Sequence, residues 1–166
     1  MATSPPGTQS PAARRSAEAE LRGLVTRFAP AHQRLVGTMR RSIQKRLPTA
    51  HELVYEYRDW FVISFSPNEN GMDGVLAIRG DTNGVQLYFN RGKGLADPEK
   101  LLKGSAKLVR FIEMEGASTL ARPAVVRLID AAIAGNRIPF ARTGRGPVII
   151  RSAAAKTRAG RRPTNA

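Results

Sequence analysis

The stretch Leu95-Ala96-Asp97-Pro98-Glu99-Lys100-Leu101-Leu102-Lys103-Gly104-Ser105-Ala106-Lys107-Leu108-Val109-Arg110-Phe111-Ile112 holds a helix start, a helix stop and a strand in close order. Asp97 suits an N-cap, because its carboxylate accepts the free amides of a first helical turn. Pro98 suits the next position, where no amide donor is needed. Gly104 suits the left-handed residue that closes a helix. Lys107 to Glu113 then reads as a strand. The stretch predicts a short capped helix feeding a strand, and it speaks to fold rather than to chemistry.

Working outward towards the N-terminus, four more strands are expected. Leu53, Tyr55 and Tyr57 alternate with Glu52 and Glu56, the mark of a half-buried strand. Arg58-Asp59 makes a tight turn into an apolar strand from Trp60 to Ser66. Pro67 to Gly74 is a longer loop, rich in Asn, Gly and Asp. Val75 to Arg79 and Val85 to Asn90 are joined by Asn83-Gly84, a strong hairpin signal. Short connections favour an antiparallel meander. Before the strands, Leu21, Leu24, Val25, Phe28, Leu35, Val36, Met39, Ile43 and Leu47 form an apolar helical stripe over 18–47, broken or kinked at Pro30. After them, Pro123 opens a helix over Ala121 to Ala134 that ends at Gly135-Asn136. The expected fold is α+β: an N-terminal helical segment, a five-stranded antiparallel sheet, and a C-terminal helix packed on one face.

Residues 1–17 are rich in Pro, Ser, Ala and Gly and are expected to be a disordered tail. The domain is expected over 18–140, and 141–166 reads as a basic, mostly disordered tail. Pro147 to Ile150 is an apolar exception, able to dock on the domain or to recruit a partner.

The chain carries 27 Lys and Arg against 13 Asp and Glu, a net charge of +14. Two arginines before residue 18 and seven basic residues after 140 are unaccompanied by acid, so most of the excess sits at the ends. Such a chain is drawn to polyanions. On the helical segment, Arg34, Arg41 and Lys45 share one face, either a solvated outer surface or a cationic stripe. With Arg158, Arg161 and Arg162 they are the candidate contacts for weak nucleic-acid association. There is no cysteine, which excludes disulfides and thiolate metal sites. No apolar run approaches the roughly 20 residues that span a bilayer, and no secretory core is evident, so a cytoplasmic protein without membrane contact is expected.

The run Asp97-Pro98, Leu101-Leu102, Gly104, Lys107, Arg110 and Ile112, followed by Arg122-Pro123-Ala124 opening the Leu120 to Ile133 helix, resembles the YdhG-like family of bacterial domains. The likeness is best over 95–133. It is looser over 28–90, and the ends lie outside it. The resemblance implies an α+β domain of largely unknown function, with relatives described as frataxin-like iron carriers. The chain departs from the family at the first hairpin, where Leu53-Val54-Tyr55-Glu56-Tyr57-Arg58-Asp59-Trp60 replaces a Gly- and Pro-containing segment.

Iron would need clustered carboxylates or imidazoles. Glu52 with Glu56, or Glu113 with Glu115, are the pairs able to line one sheet face, but the first helix has the wrong sign for an iron-loading ridge. No metal site or cofactor is expected. Catalysis is poorly supported. His32 and His51 are the only histidines, and no nucleophile elbow surrounds any serine. A cleft holding His51 and a carboxylate would revive an enzyme reading. Arg91-Gly92-Lys93-Gly94 lacks the spacing of a Walker loop. Arg91, Lys93, Lys103 and Lys107 lie around two glycine turns, where backbone amides and cations make a fair anion pocket, with Arg110 on the following strand. Tyr55, Tyr57, Tyr88 and Trp60 would offer base-stacking surfaces if exposed on a sheet face. Sharing a face with Leu53, Tyr55 and Tyr57 are read as core. The expected role is non-enzymatic binding of a small anion or a protein partner. Nucleic-acid association and iron carriage are the alternatives.

Overall fold

A computed structural model of the chain describes residues 8–152. The first helix, α1 (Pro11–Val25), starts where Ser10 Oγ accepts the Ala13 amide at 3.1 Å and Pro11 occupies the first turn. The second, α2 (Pro30–Arg46), also has a proline in its first turn but no side-chain cap, so the proline separates two helices and does not kink one. Six strands follow: β1 (His51–Glu56), β2 (Trp60–Ser66), β3 (Leu76–Asp81), β4 (Val85–Phe89), β5 (Arg110–Met114) and β6 (Val148–Ser152). The third helix, α3 (Pro123–Ala134), lies between the last two.

All six strands form one sheet in the order β5-β4-β3-β2-β1-β6. The first five make the expected antiparallel meander, with Val54 opposite Ile63, Ile63 opposite Ile78, Ile78 opposite Leu87 and Leu87 opposite Ile112. Because side chains alternate between faces, this row and its neighbours two residues away point to one side. There they meet Leu21, Leu24, Met39, Ile43, Val125, Leu128 and Ile129 of the three helices in one buried cluster. The overall α+β class is as expected, with the helices on a single face.

Several expectations need correction. The sheet has a sixth strand, parallel to β1, with Val148 opposite Glu52 and Ile150 opposite Val54. It is formed at the apolar patch Pro147 to Ile150, within the expected tail, which takes the first of its two readings and docks on the domain. Residues 11–17, read as a tail, are the first turns of α1. The remainder of both expected tails, 1–7 and 153–166, lies outside the described residues.

The short helix after Asp97 does not form. Both Asp97 carboxylate oxygens are used, but they accept the amides of Leu101 (2.9 Å) and Leu102 (2.8 Å) across a turn in which Lys100 has φ 52°. A left-handed non-glycine residue ends any helix there, and so short a helix is marginal without packing. Gly104 does take a left-handed φ of 112°, as a turn residue and not as a helix cap. Lys103 then pairs across from Phe111 through two backbone hydrogen bonds (2.8 and 3.0 Å). That bridge covers the outer edge of the sheet, and Lys107 sits in the loop before β5.

Two devices hold the helices and β6 in place. Arg40 on α2 donates from Nη1 and Nη2 to Glu18 of α1 (2.7 and 2.8 Å). It also donates from Nε and Nη2 to Glu52 of β1 (2.8 and 2.9 Å). Gln44 adds amide bonds to both Glu52 oxygens (3.2 and 3.1 Å). Burial alone would weaken the charge on Arg40, but the two carboxylates more than reverse that and raise its pKa. The Arg40 hydrogen bonds in turn hold Glu18 below the usual carboxylate range. At the other end, Gly146 donates to Pro48 O (3.1 Å) and accepts from Arg14 Nη1 (2.7 Å). A Cβ at Gly146 would lie 1.7 Å from Ala50 O. Gln9 completes the seating by exchanging both amide groups with the Val148 backbone (2.8 and 3.0 Å).

Replacing Arg40→Ala strands a buried carboxylate at Glu52. We expect a loss of about 3–5 kcal/mol in urea unfolding at neutral pH. Glu18 has a lowered native pKa, so its contribution is present above about pH 4.3 and fades as pH falls through the native value. That acid dependence should flatten in the variant. Gly146→Ala meets backbone atoms that cannot yield. It should cost about 1–3 kcal/mol and expose the Ile149 and Arg151 amides to hydrogen exchange.

Candidate functional site

The helices leave the second face of the sheet uncovered, and the alternation dictates what it shows. It carries Leu53 and Tyr55 of β1, Trp60, Val62 and Ser64 of β2, and Ala77 and Arg79 of β3. Gln86 and Tyr88 of β4, Phe111 and Glu113 of β5, and Ile149 and Arg151 of β6 complete it.

The loop after β2 rises along one side of this face. Its shape comes from short-range hydrogen bonds. Ser66 Oγ donates to Asn70 O (3.0 Å), Asn68 Oδ1 accepts from Asn70 N (2.8 Å), and Asn70 Oδ1 accepts from Met72 N (3.1 Å). Asn68 Nδ2 also bonds Asp73 (3.0 Å). Arg151 ties the loop to the sheet, donating to Glu69 O (2.6 Å) and to Tyr55 Oη (3.0 Å). Gly71 is required by this approach, since a Cβ there would lie 2.3 Å from Tyr55 Oη.

The opposite wall is aromatic. Tyr57 and Trp60, flanking the β1–β2 turn, stack with centroids 3.6 Å apart and planes 5° from parallel. The Arg79 guanidinium lies 4.7 Å from the Trp60 centroid. With Tyr57 at van der Waals distance on one side of the indole, Arg79 must occupy the other. Arg79 is itself held by Asp81 (2.8 Å) and Gln86 (3.1 Å). Burial would raise the Asp81 pKa, but the amides of Asn83 and Gly84 and the Arg79 guanidinium together bring it below its ordinary value. Tyr88 stacks on Phe111 at 5.1 Å. Burial pushes its hydroxyl pKa up, so it remains a neutral donor at physiological pH.

Between the loop and the aromatic wall lies a cavity of about 550 Å³. Tyr55, Tyr57, Trp60 and Tyr88 supply apolar surface, Arg79 and Arg151 supply fixed positive charge, and Asn90 and Ser64 supply neutral polar groups. Met72 stands on the rim, 85 % exposed. A flat molecule with an apolar body and an anionic group matches this lining, because guanidinium pairs well with carboxylate or phosphate and the rings provide stacking area.

Tyr55 and Tyr57, read as core, thus face the open side together with Tyr88 and Trp60. Alternation placed Tyr55 correctly beside Leu53, but the shared face is the one the helices do not cover. Arg79 and Arg151 went unnoticed as site residues. Their signal was available for Arg79, which shares the period-2 register of the half-buried face. It was not available for Arg151, whose strand had not been recognised.

The five cations read as an anion pocket are not drawn together in this way. Arg91 lines a separate cavity of about 310 Å³ beside the end of α3. Arg110 donates to the carbonyls of Ala106 (2.5 Å) and Val109 (2.7 Å). Lys93, Lys103 and Lys107 are exposed and line neither cavity. Arg34, Arg41 and Lys45 are exposed along α2, whereas Arg158, Arg161 and Arg162 lie outside the described residues.

The carboxylate pairs considered for iron have other partners. Glu52 is buried on Arg40, Glu56 pairs with Arg27 (3.5 Å), and Glu113 accepts from Gln86 (2.9 Å). Among the described residues no group of three or more His, Asp or Glu is placed to hold a metal. No helix among them is long and apolar enough to cross a membrane. His51 does share a cleft with the carboxylate Glu69, about 760 Å³ in volume, the arrangement that bears on an enzyme reading; among the described residues no Ser, Thr or Lys lines it. Compared with known proteins, the chain matches no family model and has no significant match among curated proteins or solved structures.

His51 Nδ1 is buried and meets no hydrogen-bond partner among the described residues. Burial lowers its pKa, and the Glu69 charge opposes this in part. The native state therefore prefers neutral His51. This stabilisation is present above about pH 6.5 and is lost as pH falls through the lower native value. An NMR titration should place the His51 midpoint below that of a free histidine, and Glu69→Gln should move it lower still.

Proposed function

We propose that this protein is a non-enzymatic binding protein that takes a small, flat, anionic molecule into the cavity on the open face of its sheet. One observation carries the reading: four aromatic side chains and two arginines line a single space of about 550 Å³, well within the size range of small-molecule sites. The arginines are already oriented, Arg79 by Asp81, Gln86 and Trp60, and Arg151 by Tyr55 and Glu69. A ligand anion would meet prearranged donors, which lowers the ordering cost of binding. The YdhG-like resemblance of residues 95–133 is compatible with such a module, and the proposed site lies mainly on β1–β4, β6 and the loop after β2, with Val109 its one lining residue from that stretch.

A single strand of nucleic acid laid across the aromatic face is less well supported. Tyr57 and Arg79 already cover the two sides of Trp60, so no base has a free indole surface there.

Trp60 is the only tryptophan in the chain, so its fluorescence reports on the cavity wall directly. Titration with nucleoside 5′-monophosphates and aromatic carboxylates should give a saturable change for at least one flat anion, with inorganic phosphate and the uncharged nucleoside giving none. Arg79→Gln should weaken that ligand by about tenfold or more, the loss expected for one charge-assisted hydrogen bond. Absence of any saturable response, or a ligand indifferent to Arg79→Gln and Arg151→Gln, would refute the assignment.

A further inference from the structure

A second positively charged surface lies on the helical side of the molecule. Arg14, Arg15, Glu18 and Arg22 of α1, Arg40 and Gln44 of α2, and Arg145 line a groove of about 620 Å³. A neighbouring cavity of about 290 Å³ shares Arg14, Gln44 and Arg145 and extends the surface to Lys45. The two therefore form a continuous trough between α1, α2 and the turn before β6.

Its charges do not cancel. Arg40 is committed to Glu18 and Glu52, and Arg14 lies 3.8 Å from Glu18 while donating to Gly146 O. Those two carboxylates balance those two arginines. Arg15, Arg22, Lys45 and Arg145 are left exposed, with no ion pair to any described residue. Burial first, and the nearby Arg145 second, lower the Arg14 pKa.

Spacing decides what kind of anion fits. Arg15 and Arg22 are seven residues apart on α1, two helical turns, so they share a face about 10 Å from each other. Side chains set out at that spacing spread positive charge along the helix and do not gather it at one point. An extended polyanion with charges repeated along its length meets them all. Among the described residues no aromatic side chain lines the trough, so unpaired bases would find no stacking surface there and a duplex backbone is the better match. Lys45 belongs to the exposed α2 stripe with Arg34 and Arg41, which continues the positive surface outward.

We propose that the α1–α2 trough seats the phosphodiester backbone of a nucleic acid through Arg15, Arg22, Lys45 and Arg145. The proposal is independent of the sheet-face cavity.

The test uses the full chain and a fluorescein-labelled DNA duplex of about 20 base pairs, followed by anisotropy over a range of KCl. The triple variant Arg15→Ser/Arg22→Ser/Arg145→Ser is compared with Arg158→Ser/Arg161→Ser/Arg162→Ser, which removes equal charge from the C-terminal end. The trough variant should bind far more weakly, and its plot of log affinity against log salt should flatten by roughly 2–3 units, about 0.9 for each lost phosphate contact. Arg22→Glu, a single change on an exposed position of α1, should weaken binding if the triple variant fails to fold. Arg79→Gln should leave duplex binding unchanged.

Equal losses in the two triple variants would show attraction by net charge alone and overturn the proposal. So would no duplex binding at low salt, or binding to phosphatidylserine vesicles in place of the duplex.

Discussion

The buried ion pair between Arg40 and Glu52 is the constraint on which the arrangement of layers depends. Glu52 is 2 % exposed, on the side of β1 that faces the helices. A carboxylate there is tolerable only with its lone pairs engaged, and Arg40 and Gln44 engage both oxygens. The second edge of the Arg40 guanidinium takes Glu18, which binds α1 to the same point. One side chain thereby fixes α1, α2 and β1 relative to one another. The planar, multi-donor guanidinium can serve two carboxylates at once in a way that an ammonium group cannot.

That fixation makes the molecule one-sided. With α1, α2 and α3 all drawn to the same face, the opposite face of the sheet keeps its half-buried side chains for other use. Its order is built from within the sheet. Arg79 rests on Trp60, Trp60 rests on Tyr57, and Asp81 and Gln86 hold Arg79 from its own and the next strand. Arg151 connects the last strand to the loop that forms the opposite rim. The cavity depends on β6, which supplies Arg151, and β6 depends on Gly146 passing close under Ala50. Seating of the C-terminal strand and formation of the cavity are therefore one event.

The excess of positive charge is distributed along the same division. On the sheet side, Arg79 is paired with an acid and Arg151 with a carbonyl and a hydroxyl, so charge is focused and oriented. On the helical side, Arg15, Arg22, Lys45 and Arg145 stand uncompensated around the trough. A small anion is suited by the first arrangement and an extended one by the second.

Much of this fold was legible in residue order, because its signals are local. The Asn83-Gly84 turn, the alternation through Leu53 and Tyr55, the break or kink at Pro30, the proline that opens α3, and the apolar stripe from Leu21 to Leu47 each report on neighbours within a few residues. So does the capping chemistry of Asp97, although the turn it closes is not a helix, since Lys100 turns left-handed. The pairing of Pro147–Ile150 with β1 was out of reach, because a short apolar run has no mark of its distant partner. Nor could alternation tell which face of β1 the helices would cover. It separates Tyr55 from Val54 and stops there. The covered face is the one that carries Val54, Ile63, Ile78 and Leu87 onto the helices, a choice that Arg40 makes tolerable for Glu52 through contacts among three elements far apart along the chain. That choice turned aromatic residues read as core into the lining of a cavity.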